Sequence, residues 1–121
     1  MILDATLRLE AVLAGAVAAN QPESHVNFQD WTSPDQGQPV PSKPAPYRVA
    51  LNSTTDVTIL AMPNQGVVRD VIRISIYNKD TATVTVTVKT DDGTTEFIAV
   101  KQALLTGETL VFERGAGWQI I

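Results

Sequence analysis

Residues 71–89, VIRISIYNKDTATVTVTVK, contain two runs in which apolar and polar side chains alternate. In the first run, Ile72, Ile74 and Ile76 would face one way and the polar residues between them the other. In the second run, Thr alternates with Ala or Val. A period of two residues is typical of a strand with one buried and one solvated face. The short polar link NKDT predicts that the two strands pair as a hairpin.

The chain after these two runs continues as short strands separated by turns. Asp92-Gly93 favours a hairpin turn, so residues 95–104 are predicted to pair with the strand before them. Residues 109–114 and 118–121 form two further predicted strands, joined by Gly-Ala-Gly, whose glycines allow a tight turn. The apolar C-terminus, WQII, is therefore interpreted as the last strand of a meander. Docking of these residues on another molecule is the alternative.

The N-terminal half is less regular. Residues 48–52 and 56–62 are predicted strands joined by a polar turn. Residues 5–19 fit either an amphipathic helix or a strand followed by a loop. The strand is favoured, with a second strand over residues 24–31, because Gly15 and β-branched valines weaken a helix.

The whole pattern predicts an all-β fold. Seven or eight short antiparallel strands with regular turn signals are typical of a β-sandwich or jelly roll, here as a single domain over residues 1–121. Residues 32–47, TSPDQGQPVPSKPAPY, hold five of the seven prolines and form a long Pro-rich arm or crossover loop. Because each Pro lacks an N–H donor, this arm can be neither a helix nor a central strand. A surface crossover and an arm laid on a neighbouring subunit both remain open.

The residue types needed for catalysis are sparse. The chain has no Cys, and His25 is its one histidine. Ser24 adjoins His25, but neighbours in a strand point to opposite faces, so a Ser-His-Asp site and an imidazole metal site are not expected. Residues 91–96, DDGTTE, lack the spacing of an EF-hand and are predicted to form a turn. We therefore expect no enzyme activity, no cofactor and no metal.

The charge and hydropathy of the chain limit the classes of partner that we expect. The net charge is −4 and no run of Lys or Arg would follow phosphates, so nucleic acid is not an expected partner. No stretch approaches the roughly 20 apolar residues that cross a bilayer, so no membrane contact is expected. Residues 1–20 lack the basic start and unbroken apolar run of a signal peptide. We expect a protein made in the cytoplasm and not exported by a cleaved signal.

The C-terminal half and the opening MILDAT resemble small structural proteins of tailed-bacteriophage virions. The matching elements are ISIYN.D at Ile74–Asp80, the strand Gly93–Ile98, and L..GE.L.F..G.GW at Leu104–Trp118. The Pro-rich arm matches least. The resemblance implies a non-enzymatic β-domain, often trimeric where it decorates a capsid, and it implies no catalytic or metal-binding residue.

The leading hypothesis is a capsid decoration, or cement, protein. It would act as a homotrimer in the virion, assembled in the host cytoplasm, and would stabilise the mature head by binding the major capsid protein. One alternative is a neck, collar, tail or fibre-base component, and a weaker one is a host-glycan-binding module that uses exposed aromatics. The candidate interface residues are Trp31, Pro34, Pro39, Pro41, Pro44, Pro46, Tyr47, Tyr77 and Ile121.

Overall fold

The computed structural model describes residues 1–32, 38 and 40–121. Over these residues the protein is all-β, without a helix, as predicted, but with eleven strands rather than seven or eight. The strands are β1 (Ile2–Leu3), β2 (Arg8–Leu13), β3 (Glu23–Thr32), β4 (Val40–Pro41), β5 (Ala45–Ala50), β6 (Val57–Leu60), β7 (Val67–Tyr77), β8 (Val84–Asp91), β9 (Glu96–Leu104), β10 (Thr109–Glu113) and β11 (Gly117–Ile120).

The strands form two antiparallel sheets. The seven-stranded sheet has the order β11-β10-β7-β3-β4, with β1 also paired to β7 and β5 also paired to β3. The four-stranded sheet has the order β6-β2-β8-β9. Side chains from both sheets form one apolar core, which makes the arrangement sandwich-like. The largest fully buried side chains are Leu3, Leu9, Ile59, Leu60, Ile74, Ile76, Leu104, Leu110, Val26, Val71, Val86 and Val88.

The link between β7 and β8 is a corner between the two sheets, so the predicted hairpin is wrong. Alternation shows which face of a strand is buried, and it does not show which strand lies beside it. The side chain of Asn78 stabilises the corner: its Nδ2 donates to the carbonyls of Ala82 and Leu104, at 3.0 Å each. Its Oδ1 accepts from the N–H of Asp80 at 2.9 Å. Asn78 and Asp80 are both fully buried.

Asp80 connects this corner to the loop between β2 and β3. Its Oδ1 accepts from the N–H groups of Ala19 (2.8 Å) and Asn20 (3.0 Å), and its Oδ2 from that of Ala18 (2.9 Å). Backbone donors stabilise the ionised carboxylate, with that of Asn20 the largest cause, and they lower the pKa of Asp80 to about 2. Three N–H groups of a loop outside the sheets thus find their acceptors on one side chain.

The strand interpretation of the N-terminal segment is confirmed. Residues 5–19 contain β2 and the start of the loop that leads to β3. Leu9, Ala11 and Leu13 of β2 face the core and are almost completely buried. In this segment the two-residue alternation of apolar side chains predicted the observed structure, and the helical spacing of apolar side chains did not.

A bulge changes which isoleucines of β7 are buried together. In the pairing with β3, Asn27 lies opposite Arg73 and the next residue opposite Val71, so Ile72 is the extra residue. Val71 joins Ile74 in the core, whereas Ile72 is half-buried, which corrects the predicted set. In β8 the buried alternation begins at Val84, and Ala82, predicted to lie on the same face, is exposed.

The C-terminal residues form the predicted strand, β11, at the edge of the seven-stranded sheet, but the predicted meander is wrong because β10 pairs with β7 and not with β9. Gly115 and Gly117 have φ of +85° and +82°, a conformation that favours glycine, and they turn the chain from β10 into β11. The ring of Trp118 packs on Phe112, with ring centroids 5.2 Å apart, and both rings lie against the core. Ile121 follows β11 and exchanges two 2.9 Å backbone hydrogen bonds with Thr109.

We expect Asp80→Asn to destabilise the domain at neutral pH, because an amide offers one acceptor oxygen where the carboxylate offers two. The folded-state pKa of Asp80 lies below the ordinary 3.8. Its contribution is therefore complete above about pH 4 and is lost as the pH falls towards 2. Thermal unfolding followed by circular dichroism should show a Tm lower by roughly 5 °C or more at pH 7. The difference from the parent protein should narrow as the pH falls to 2.

Asp4→Asn is the matched control for this experiment. Asp4 Oδ1 accepts only local hydrogen bonds from Thr6, two residues away in an exposed turn. The control should lose less stability than Asp80→Asn at pH 7. Equal losses in the two variants, or a deficit in Asp80→Asn that does not change with pH, would contradict the role given to Asp80.

Candidate functional site

The described part of the Pro-rich arm belongs to the chain's own seven-stranded sheet. Pro41 lies opposite Trp31 through the pairing of β4 with β3, and Pro46 lies opposite Asn27 through the pairing of β5 with β3. Both strands lie at the edge of the sheet, where a missing N–H donor is tolerated. Pro41, Pro44 and Pro46 are exposed there. Pro34 and Pro39 lie outside the described residues.

The structure does not bring the other predicted interface residues together in one patch. Tyr77 and Ile121 both flank Thr109 on the outer side of the sheet. Tyr47 lies opposite Val26, and therefore on the core-facing side at the sheet edge. Trp31 is half-buried near the end of β3. The predicted residues therefore divide between the two faces of the sheet. The sequence did not show this division because it does not give the register of β5 against β3.

An apolar surface that the sequence analysis did not single out lies on β9. Phe97 and Ile98 are each 66% exposed. Phe97 pairs with Thr90, which in turn pairs with Leu9 of the core. Phe97 thus lies on the core-facing side of the four-stranded sheet, but the other sheet does not cover it. Two adjacent apolar residues in a strand were the signal that could have shown this surface.

Strand β9 is an edge strand with a bulge. It pairs with β8 alone among the described strands. Val100 pairs with Val88, and Ile98 with the next residue of β8, so Ala99 is the extra residue. Phe97 and Ile98 are neighbours in the strand, so their exposed side chains lie on opposite faces of the sheet, one on each side of the unpaired edge. We call Phe97, Ile98 and Ala99 the β9 edge surface.

The outer face of the four-stranded sheet holds a network of charged groups. Carboxylate oxygens of Glu10, Asp91 and Glu96 lie within 4.8 Å of one another. Arg8 forms an ion pair with Asp91, and Lys89 forms ion pairs with Glu96 and, at 2.9 Å, with Asp56.

Glu10 and Asp91 are both buried, and within the described part of the chain Glu10 is the one whose oxygen lacks a partner. Its side chain is 8% exposed, and its Oε1 has no hydrogen-bond partner among the residues described. Burial, and then the neighbouring carboxylate of Asp91, raise the pKa of Glu10 above 4.5. The pKa of Asp91 is lowered, first by the N–H of Gly93. Glu10 therefore binds a proton more readily than an ordinary glutamate, and Asp91 binds one less readily than an ordinary aspartate.

The acidic segment 91–96 forms the predicted turn. Asp92 Oδ1 accepts from the N–H groups of Thr94 (2.8 Å) and Thr95 (2.6 Å), and Asp91 Oδ1 accepts from that of Gly93 (2.8 Å). These carboxylate oxygens therefore stabilise the hairpin between β8 and β9.

Two adjoining cavities lie on the outer face of the seven-stranded sheet. Their volumes are about 510 and 290 Å³, and both are lined by His25 and Ser75. We call them together the outer groove. The larger cavity is also lined by Arg48 and Tyr77, and the smaller by Arg73. His25 and Ser75 are thus shared by both cavities.

Most of the residues that carry the phage resemblance maintain the fold, and the exposed Phe97 and Ile98 are the exceptions. Asn78 and Asp80 form the corner between the sheets, and Phe112 and Trp118 pack against the core. Glu108 Oε2 accepts from the N–H of Leu105 at 2.7 Å and closes the turn before β10. These parts of the quoted motif therefore stabilise the fold, whereas Gly93–Ile98 also contributes to the β9 edge surface.

No protein-family model matches the chain, and no curated protein or solved structure is significantly similar to it. Over residues 1–32, 38 and 40–121, no helix is long and apolar enough to cross a membrane.

We expect Glu10→Gln to stabilise the domain at pH 7. Because the folded-state pKa of Glu10 is raised, stability falls as the pH rises through 4.5 towards that pKa. A neutral amide removes this loss. Thermal unfolding should show a Tm higher by roughly 2–4 °C at pH 7, with little difference at pH 4.

Glu113→Gln is the control, since Glu113 is half-exposed and pairs with Arg73 on the surface. An exposed ion pair contributes little, so this variant should change Tm by less than about 2 °C at either pH. A Glu10→Gln variant that is less stable at pH 7 than at pH 4, relative to the parent, would contradict the assigned cost of the buried charge.

Proposed function

We propose that this protein is a non-enzymatic virion structural protein of a tailed phage. In this proposal it is a decoration, or cement, protein that binds the major capsid protein and stabilises the mature head. The observation that carries the proposal is the β9 edge surface, where the core-facing Phe97 is left uncovered by the chain's own fold. A large uncovered apolar side chain beside an unpaired strand edge is typical of a surface that contacts another protein.

The resemblance to phage virion proteins supports this proposal. Most residues that carry it maintain the fold, but its matching element Gly93–Ile98 includes the exposed Phe97 and Ile98. The β9 edge surface and the Pro-rich arm are the two candidate contact surfaces. Many copies bound to one particle, each through a small contact, would together hold neighbouring capsid subunits strongly. A homotrimer, which the resemblance implies, would increase this effect.

The first test of the proposal is the copy number of the protein in purified virions. Quantitative mass spectrometry against the major capsid protein should give a ratio near one to one or another large simple fraction. A ratio of a few per cent would move the protein to the neck, collar, tail or fibre base and reject the decoration assignment. Its absence from the particle would reject the structural role.

We expect Phe97→Ser to weaken binding to capsids that lack the protein. Burial of a Phe side chain contributes about 1.5–3 kcal/mol, so the affinity should fall at least about tenfold. Because Phe97 is 66% exposed, the variant should keep its fold, which circular dichroism would check. Co-sedimentation of purified protein with capsids, at several protein concentrations, measures the affinity.

Ile2→Ser is the matched control, because Ile2 is 58% exposed and lies on the other sheet, in β1. It should bind capsids as the parent protein does. Equal binding by Phe97→Ser and Ile2→Ser would remove the β9 edge surface from the contact.

The arm is tested separately by replacing residues 33–39 with a Gly-Ser linker of the same length, which leaves β4 and β5 in place.

A further inference from the structure

The outer groove is built by residues that lie directly beside one another on three neighbouring strands. Arg48 of β5 pairs with His25 of β3, and His25 pairs with Ser75 of β7. Adjacent strands are about 4.8 Å apart, so these three side chains form one row across the sheet. Arg73 and Tyr77 flank Ser75 on the same face of β7, one at each end of the groove. Strands, and not loops, therefore position every one of these groups.

Two residues of this row have polar side-chain atoms that lack a good hydrogen bond within the described part of the chain. His25 Nε2 is buried and has no hydrogen-bond partner among the residues described. The hydroxyl of Ser75 has a single long contact, 3.5 Å from the carbonyl oxygen of His25. A buried polar atom without a partner is costly, so such atoms commonly bind a ligand or water. Both residues line both cavities, where an incoming molecule would meet them.

The groove carries a small excess of positive charge, although Glu23 also lines its larger cavity and the net charge of the chain is −4. Arg73 is paired with Glu113 at 3.3 Å, and Lys79 with Glu23 at 2.5 Å. Arg48 makes no ion pair with any residue in the described part of the chain. The paired groups cancel, so Arg48 leaves an excess of one positive charge beside His25. A guanidinium presents a planar fork of N–H donors that suits a carboxylate.

The size and lining of the groove indicate more than an inorganic ion. Cavities of 300–1,000 Å³ are typical of sites for small organic molecules. Tyr77 is 43% exposed and offers an aromatic face beside the polar row. A polar, compact molecule with one carboxylate would satisfy the guanidinium, the free donors and the ring together.

We propose that the outer groove binds an acidic sugar of monosaccharide size. In this arrangement Arg48 binds the sugar carboxylate, Ser75 and His25 hydrogen-bond its hydroxyl groups, and Tyr77 packs on its ring. The proposal rests on the outer groove alone, so it is independent of capsid binding through the β9 edge surface.

The experiment uses the fact that His25 is the one histidine of the chain. Its ring signals in an NMR spectrum therefore report on the groove without assignment of other histidines. Glucuronate is titrated into the full chain at pH 7 and constant ionic strength, with glucose and sulfate as comparison ligands. We expect a saturable shift of the His25 signals with glucuronate, and affinities for glucose and sulfate at least tenfold weaker.

Arg48→Gln should weaken glucuronate binding at least tenfold. Arg48 is exposed, so the variant should remain folded, and the amide spectrum outside the groove verifies this. Lys101→Gln is the matched control, because it removes an exposed positive charge from the four-stranded sheet. It should bind glucuronate as the parent protein does.

Three outcomes would overturn the proposal. One is the lack of a saturable shift when the glucuronate concentration reaches about 50 times a Kd of about 1 mM, which corresponds to weak binding. Another is glucose or sulfate binding as tightly as glucuronate, which would remove the need for a carboxylate on a sugar. The third is equal weakening in Arg48→Gln and Lys101→Gln, which would indicate general charge attraction.

Discussion

The fold depends on the buried hydrogen bonds of Asn78 and Asp80. Strands β7 and β8 are adjacent in the chain but lie in different sheets, so the link between them must carry the chain from one sheet to the other. Asn78 and Asp80 are the buried residues of this link, and a buried polar group without a partner costs about 1–3 kcal/mol. Asn78 joins the corner to the end of β9, and Asp80 joins it to the loop after β2. Two short side chains thus connect three segments that are far apart in sequence.

Much of the all-β fold could be predicted because strand periodicity is a local property. The buried faces of β2 and β8, the turn at Asp92 and the edge strand β11 follow from residues within each segment. Pairing between strands is not local. The hairpin predicted for β7 and β8 was wrong because alternation is the same whether the next strand continues in one sheet or crosses to the other. The bulge at Ile72 has no signal in the alternation of Ile72, Ile74 and Ile76.

The candidate sites were predicted less well, for a physical reason. A surface is formed by residues that the fold brings together, and here the register between paired strands determines which residues become neighbours. Arg48, His25 and Ser75 become neighbours through the pairing of three strands, and nothing in the sequence near each residue indicates this. Phe97 resembles any strand phenylalanine until the extent of the opposite sheet is known. The prolines, in contrast, gave a strong local signal, but that signal described the backbone and not a binding surface.

The bulge at Ala99 has a consequence for how the protein behaves at high concentration. An edge strand with an uninterrupted hydrogen-bonding ladder can pair with the same strand of another copy, and such pairing can grow without limit. A bulge bends the strand and breaks the repeat of its free N–H and carbonyl groups. Long, regular strand addition at β9 is therefore disfavoured, although the side chains of Phe97 and Ile98 stay accessible. The protein can keep an apolar surface for a partner of complementary shape and still resist polymerising with itself.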